Sequence, residues 1–267
     1  MSQTSPPAVL VTAANHVMTI TINRPEARNA VNRDVHVGVG TALEAANSDP
    51  EIRAVILTGA GDKAFSAGAD LKAIASGRSI SPEDPVQRAW GFAGFASHYI
   101  SKPTIAAVNG LALGGGTELT LAADLAIAAD TAMFGLPEVK RGILAGAGGA
   151  FRLGLQTPPK IAMEILLTGD PITAARALEL GLVNQVVPRD RVMDAALELA
   201  ARITTNAPLA VQASKRIARG IVLGRIETES KRWTQTKAES SAVRLSEDAH
   251  EGPRAFAEKR AAVWKAR

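Results

Sequence analysis

The 267-residue chain contains no cysteine, only four histidines and few aromatic residues, which make up 4% of the sequence. Without cysteine the chain can form no disulfide, thiolate–zinc site, iron–sulfur cluster or cysteine nucleophile. The histidines, His16, His36, His98 and His250, show no metal-ligand spacing, so we expect no metal site. Glycine and acidic residues interrupt the most apolar stretch, 105–129, so we expect no membrane span and a cytoplasmic protein.

The net charge of +4 is unevenly distributed along the chain. Residues 1–200 carry 16 basic and 19 acidic side chains, whereas residues 201–267 carry 14 and 7. A basic segment can bind nucleic acid, an anionic membrane or a phosphate-bearing small molecule, or it can form a solvated helical surface. The basic residues are dispersed, and only Trp233, Phe256 and Trp264 could stack on bases among them. We therefore expect no nucleic-acid partner.

Strand-like and helix-like segments alternate over roughly the first 190 residues, which predicts an α/β architecture. Residues 17–23 alternate in period two, and residues 53–58 form the continuous apolar run typical of a strand buried on both faces. Helices are expected over 31–46, with Asn32 as a possible N-cap, and over 86–100.

A helical pattern dominates the end of the chain. From about residue 189 the segments read as helices, and Pro208 suits the first position of one of them. We therefore predict a core domain over 1–195, which holds the ligand site, and a helical oligomerisation region over 196–267.

A dinucleotide-binding motif is a distant alternative. Residues 59–64 (GAGDKA) fit G-x-G-x-x-A after a predicted strand. That motif requires a helix next, and Gly68 would disturb its first turns. The single tyrosine, Tyr99, has Lys102 three residues later, not the four of a Tyr-x-x-x-Lys pair. An NAD-dependent oxidoreductase is thus disfavoured.

Two glycine-rich turns are better candidates for a site. Residues 65–71 (FSAGADL) and 109–118 (NGLALGGGTE) each connect a predicted strand to a predicted helix through glycine. A helix start presents free backbone N–H groups, and glycine allows a ligand to approach the backbone closely. One amide from each turn could converge on one oxygen and form an oxyanion hole. Each turn alone could equally be a tight connection.

Two glutamates follow these turns. Glu118 lies two residues after Gly116, and Glu138 follows the next predicted strand through the turn 134–137 (FGLP). Each could simply be an acid that favours the positive end of a helix. If the turns and the acids belong to one site, the pair could perform acid–base chemistry beside the hole.

Taken together, these segments resemble the enoyl-CoA hydratase (crotonase) family, and the resemblance covers nearly the whole chain. It implies a spiral of repeated ββα units with a helical C-terminal region. Its motifs lie at 23–32 (NRPEARNAVN), 54–71 (AVILTGAGDKAFSAGADL), 102–119 (KPTIAAVNGLALGGGTEL), 122–143, 146–149 (GAGG), 166–187 and 251–260 (EGPRAFAEKR).

The resemblance also implies roles for individual residues. Glu118 and Glu138 take the two catalytic acid positions, and the amides of Ala69 and Gly115 take the oxyanion hole. Lys259 would reach the nucleotide end of coenzyme A from an adjacent subunit of a homotrimer or dimer of trimers. Coenzyme A is part of the substrate, and no permanent cofactor or metal is implied. The remaining residues along the coenzyme A track are Ala27, Arg28, Ala67, Asp70, Leu71 and Lys72.

The implied reaction is hydration of a 2-enoyl-CoA thioester to a 3-hydroxyacyl-CoA. Water adds at C3, charge moves onto the thioester oxygen, Glu118 activates the water and Glu138 protonates C2. The alternatives within the family are an isomerase, since one glutamate can carry a proton between carbons, and a carnitinyl-CoA-type dehydratase on the same scaffold. Ala145 replaces a proline of the hydratase pattern. Two features, Arg152-Leu153 with Pro158-Pro159 and the turn 135–138 (GLPE), resemble the carnitinyl-CoA dehydratase branch.

Overall fold

A computed structural model of the chain describes residues 6–267 and contains two principal β-sheets. The helices of this part of the chain pack around the sheets. The strands are β1 (Val9–Ala14), β2 (Val17–Ile22), β3 (Ala54–Gly59), β4 (Ala64–Ser66), β5 (Thr104–Val108), β6 (Leu111–Leu113), β7 (Leu125–Ala129), β8 (Met133–Gly135), β9 (Ile172–Thr173), β10 (Gln185–Val187), β11 (Ile221–Val222) and β12 (Arg225–Ile226).

The helices alternate with these strands in the first two thirds of the chain and dominate its end. They are α1 (Arg33–Ser48), α2 (Leu71–Ala75), α3 (Pro85–Ala89), α4 (Gly115–Ala122), α5 (Gly149–Gln156), α6 (Pro159–Thr168), α7 (Ala174–Glu179), α8 (Val192–Thr204), α9 (Pro208–Arg219), α10 (Ser230–Arg244) and α11 (Glu247–Ala257).

The larger sheet has the order β1-β2-β3-β5-β7-β10 and is parallel except for the β1–β2 hairpin. Every residue of β3 and β5 is buried, as a parallel sheet covered on both faces requires. The apolar run at 53–58 therefore predicted its strand correctly. No helix within residues 6–267 is long and apolar enough to cross a membrane.

The smaller sheet has the order β4-β6-β8-β9 and fixes the location of the site. Each of β4, β6 and β8 directly follows a long strand, so three successive ββ units end in a helix or a 3-10 turn. Because β4, β6 and β8 are parallel neighbours, the turns that follow them lie at one edge. This arrangement confirms the α/β spiral of ββα units with a helical C-terminal region.

Short-range sequence patterns predicted some helices correctly and one helix wrongly. Asn32 caps α1, because its side chain accepts a hydrogen bond from Val35 N at 3.0 Å, and Pro208 begins α9. The helix expected over 86–100 is wrong. Only α3 and a 3-10 turn form there, because Gly91 and Gly94 adopt φ of 75° and 67°. At Gly94 a Cβ would lie 2.2 Å from a carbonyl oxygen of α1, so glycine permits this close packing.

The boundary predicted between residues 195 and 196 falls inside α8. Ala195, Ala196 and Ala200 are all buried in the core cluster that the large sheet forms. The helix is thus continuous across the proposed boundary, since its apolar face covers the sheet.

Candidate active site

The two glycine-rich turns lie in direct contact at the edge of the small sheet. A Cβ at Gly68 would lie 2.9 Å from the backbone nitrogen of Gly115, and a Cβ at Gly115 would lie 3.2 Å from the Cα of Gly68. Only glycine permits this approach. The amides of Ala69 and Gly115 donate no hydrogen bond to any group in residues 6–267, so both are available to one acceptor.

The first turn is held by the segment that precedes α1. Ala67 N donates to the carbonyl of Arg28 at 3.0 Å, and Val31 N donates to the carbonyl of Gly68 at 2.8 Å. Arg28 has φ of 53°, a left-handed conformation that turns the chain toward Ala67. Ala27, Arg28 and Ala67, predicted along the coenzyme A track, therefore lie together, and Arg28 and Ala67 are exposed.

Asp70 is engaged within the protein. Its carboxylate caps α2 by accepting from Ala73 N at 3.0 Å and pairs with Arg24 Nη1 at 2.9 Å. Burial opposes ionisation, but the hydrogen bonds and the Arg24 guanidinium outweigh it and hold the pKa of Asp70 below its usual range. Leu71 and Lys72 lie exposed on the first turn of α2. Asp70 thus shapes the turn, while its two neighbours stay accessible.

Glu118 lies in the first turn of α4 and is 3% exposed. Its Oε1 accepts hydrogen bonds from Ala147 N at 2.7 Å and Gly149 N at 2.9 Å. Burial raises the pKa of this carboxyl, and the two amides and the positive charge of Arg152 oppose that rise. The net effect raises the pKa of Glu118 to about 7, and the two amides fix the orientation of its carboxyl.

Glu138 lies in the 3-10 turn Pro137–Arg141, which follows β8. Its Oε2 is buried and has no hydrogen-bond partner among residues 6–267, whereas a Cβ at Gly114 would lie 3.0 Å from its Oε1. Burial raises the pKa of this carboxyl, and the neighbouring charge of Glu118 raises it further. Two close buried carboxyls favour one shared proton, and Glu138 is the better holder because it lacks donors.

A buried ion pair that the sequence analysis did not identify as functional lies behind Glu118. Arg152 and Glu229 form a bidentate contact, at 3.0 Å (Nε–Oε1) and 2.7 Å (Nη2–Oε2), and Trp233 Nε1 donates to Glu229 Oε2 at 3.2 Å. Arg152 and Glu229 are 77 positions apart. No local pattern could pair them, although Arg152 belongs to a motif noted in the sequence.

Lys259, which the resemblance places at the nucleotide end of coenzyme A, lies in the C-terminal segment of the chain. It follows the last turn of α11 on an exposed groove that also includes Lys140, Arg141, Phe256 and Trp264. The Arg141 guanidinium lies 4.0 Å from the centroid of the Phe256 ring. The groove therefore joins Lys259 to the 3-10 turn that also carries Glu138.

These groups together define a class of enzyme. Two unoccupied amides can stabilise a negatively charged oxygen, and two buried carboxyls beside them can take up and deliver protons. The sequence profile of the enoyl-CoA hydratase/isomerase family matches residues 12–267. The chain belongs to this family, which implies acyl-CoA thioester substrates.

The similar proteins point to one branch. Carnitinyl-CoA dehydratase of Citrobacter koseri is 45% identical over 254 residues, which cover 94% of this chain and 95% of that protein. The crystal structure of carnitinyl-CoA hydratase from Mycobacterium avium is 58% identical, with a TM-score of 0.96 over 98% of this chain and 100% of that one. An enoyl-CoA hydratase from Mycobacterium tuberculosis H37Rv is 46% identical with a TM-score of 0.76, over 98% and 100%. These relatives support a lyase.

Proposed function

We propose that this protein is a hydro-lyase of the carnitinyl-CoA type, which reversibly removes water from a 3-hydroxyacyl-CoA that carries a cationic substituent. The names of its relatives support the carnitinyl-CoA-type alternative over the general 2-enoyl-CoA hydratase that the sequence analysis favoured. Carnitinyl-CoA has a quaternary ammonium group at C4, and loss of water gives the corresponding 2-enoyl thioester.

The contact between the Gly68 and Gly115 turns, with Glu118 and Glu138 beside it, carries this proposal. In the hydration direction the amides of Ala69 and Gly115 bind the thioester oxygen as it gains charge. Glu118, ionised and held by two amides, takes a proton from the water that attacks C3. Glu138, protonated, delivers a proton to C2. Dehydration reverses each step.

The charges near the site support a cationic acyl group. Glu118, Glu138 and Glu229 contribute three carboxyls, and Arg152 contributes the neighbouring positive charge. With one proton shared by the two catalytic acids, the cluster keeps a net negative charge. A quaternary ammonium group close to it would gain favourable electrostatic energy that an alkyl group lacks.

The proposal also includes the binding of coenzyme A and the oligomeric state of the protein. Coenzyme A enters as part of the substrate, along Ala27, Arg28, Ala67, Leu71 and Lys72, and no metal or permanent cofactor takes part. Asp70 supports this track by capping α2. The protein assembles as a homotrimer or a dimer of trimers, which lets Lys259 of an adjacent subunit reach the nucleotide phosphates.

A substrate comparison tests the proposal. We expect carnitinyl-CoA to be dehydrated with a kcat/KM at least about tenfold above that of 3-hydroxybutyryl-CoA, equal to about 1.4 kcal/mol. The gain of enoyl-thioester absorbance measures both rates. Equal or reversed rates would overturn the cationic substrate, and faster conversion of a 3-enoyl-CoA to its 2-enoyl isomer would indicate an isomerase.

A further inference from the structure

The most deeply buried charged side chain outside the glutamate pair is that of Arg152, which is 2% exposed. Glu229, 6% exposed, binds it through two hydrogen bonds, and the ring of Trp233 lies 5.3 Å from the guanidinium carbon. The third guanidinium nitrogen, Nη1, is buried and has no partner among residues 6–267. The pair with Glu229 therefore leaves one buried donor group of Arg152, Nη1, without a partner among the described residues.

The free nitrogen of Arg152 lies against the loop 147–149, whose amides bind Glu118. A Cβ at Gly148 would lie 3.0 Å from Arg152 Nη1, and a Cβ at Gly149 would lie 2.8 Å from Glu118 Cγ. These two glycines are consecutive, and Gly149 N donates to Glu118 Oε1. Arg152 N in turn donates to the carbonyl of Gly148 at 2.9 Å. The loop 147–149 thus contacts both side chains, since its amides bind Glu118 and Gly148 lies against the Arg152 guanidinium.

We propose that Arg152 is a positioning residue that keeps Glu118 ionised and fixed for the attack of water, and that Glu229 and Trp233 of the C-terminal region hold Arg152 there. The inference rests on the proposed function, because it assigns Glu118 the role of base. It makes the C-terminal region, expected to serve assembly, a part of the catalytic machinery of the same chain.

Only a few charged groups bear on this arrangement within the described residues. Arg152, from α5, and the carboxyl of Glu138, from the 3-10 turn, are the titratable or charged groups that act on Glu118. Glu229, at the start of α10, faces Arg152. The positive charge of Arg152 opposes the rise in the pKa of Glu118 that burial causes, and Glu229 pairs with that charge.

The pH dependence of kcat separates this role from a purely structural one. In the double variant Arg152→Gln/Glu229→Gln, two amides replace the pair and leave no unpaired buried charge. Loss of the positive charge nearest Glu118 should move the acidic limb of the profile upward by about one pH unit. In Glu229→Gln alone, the less neutralised Arg152 should move the same limb downward. A folded double variant with an unmoved limb would overturn the proposal.

A second buried ion pair supplies the matched control. Asp124 contacts Lys215 Nζ at 2.6 Å, and both side chains are mostly buried. Asp124→Asn should lower the thermal midpoint, as loss of a buried partner does, and leave the acidic limb unmoved. If this variant moves the limb as far as the double variant, destabilisation explains the shift and the proposal fails.

Direct titration distinguishes this proposal from the proposed function. Carbon-13 labelling of glutamate carboxyls, with the Glu118 signal assigned by its loss in Glu118→Gln, follows ionisation without any substrate. If the wild-type protein turns over no hydroxyacyl-CoA, the proposed function fails, yet the Glu118 signal should still titrate at higher pH in the double variant. An unchanged titration would overturn the positioning role.

Discussion

The turn that carries Glu118 and the turn that carries Glu138 follow neighbouring strands of one sheet. The two carboxyls nevertheless differ in their hydrogen bonds and in the charges next to them. Glu118 accepts two backbone hydrogen bonds and has Arg152 near it, whereas Glu138 has a buried oxygen without a partner and the charge of Glu118 beside it. Two identical side chains thus suit opposite roles, because donors and cations favour the charged form and burial favours the neutral one.

The largest effect is expected from Glu118→Gln. The amide cannot accept the proton of the attacking water, so kcat for hydration should fall by about 10⁴-fold. Spectrophotometric loss of the 2-enoyl thioester measures the rate. Glu164→Gln, on an exposed position of α6, is the matched control and should retain wild-type activity. Near-normal hydration by Glu118→Gln would show that Glu118 is not the base, and the proposed division of roles between the two glutamates would be wrong.

Glu138→Gln should lower kcat by about 10³-fold and abolish the alkaline limb of the pH profile. Glu138 acts as the protonated acid and its pKa is raised, so wild-type activity should fall as the pH rises through that pKa. The acidic limb, which follows protonation of Glu118, should remain in the residual activity. An alkaline limb that persists in Glu138→Gln would assign the acid to another group.

Gly115→Ala tests the pair of amides, from Ala69 and Gly115, that is proposed to bind the thioester oxygen. The new Cβ would lie 2.3 Å from Phe92 Cε1 and 3.2 Å from Gly68 Cα, so the start of α4 or its neighbours must shift and disturb the Gly115 amide. We expect kcat to fall by about 10²-fold, the usual effect of losing one donor to an oxyanion. Gly154→Ala, exposed in α5 with no atom within 4 Å of its Cβ, should keep full activity. Normal turnover by Gly115→Ala would exclude its amide from the hole.

The smallest effect is expected from a substitution of Asp70, whose carboxyl caps α2. Asp70→Asn should change kcat/KM by less than about twofold, equal to about 0.4 kcal/mol, because the Asp70 carboxylate binds Arg24 and the start of α2. Its folded pKa is lowered, so its contribution to stability is present above its unfolded pKa and is lost as the pH falls through the folded one. The difference in thermal midpoint from wild type should therefore shrink in acid. A large rise in KM would instead place Asp70 against coenzyme A.

Much of this architecture could be predicted from local sequence. The apolar run that became β3, the alternation that became β2 and the side chain of Asn32 at the start of α1 each follow from short-range chemistry. The segment 86–100 could not be predicted in this way. Its apolar spacing favours a helix, but Gly91 and Gly94 break it where the chain packs against α1.

The sequence by itself determined the alternation of strands and helices, the glycines that bring two turns together and the family to which the chain belongs. Only the tertiary structure decided that the amides of Ala147 and Gly149 bind Glu118, and that Arg152 meets Glu229 behind it. The physical reason is the separation along the chain of the residues that interact. Backbone preferences act over a few residues, whereas the charge of a buried carboxyl depends on groups that distant segments bring within a few ångströms.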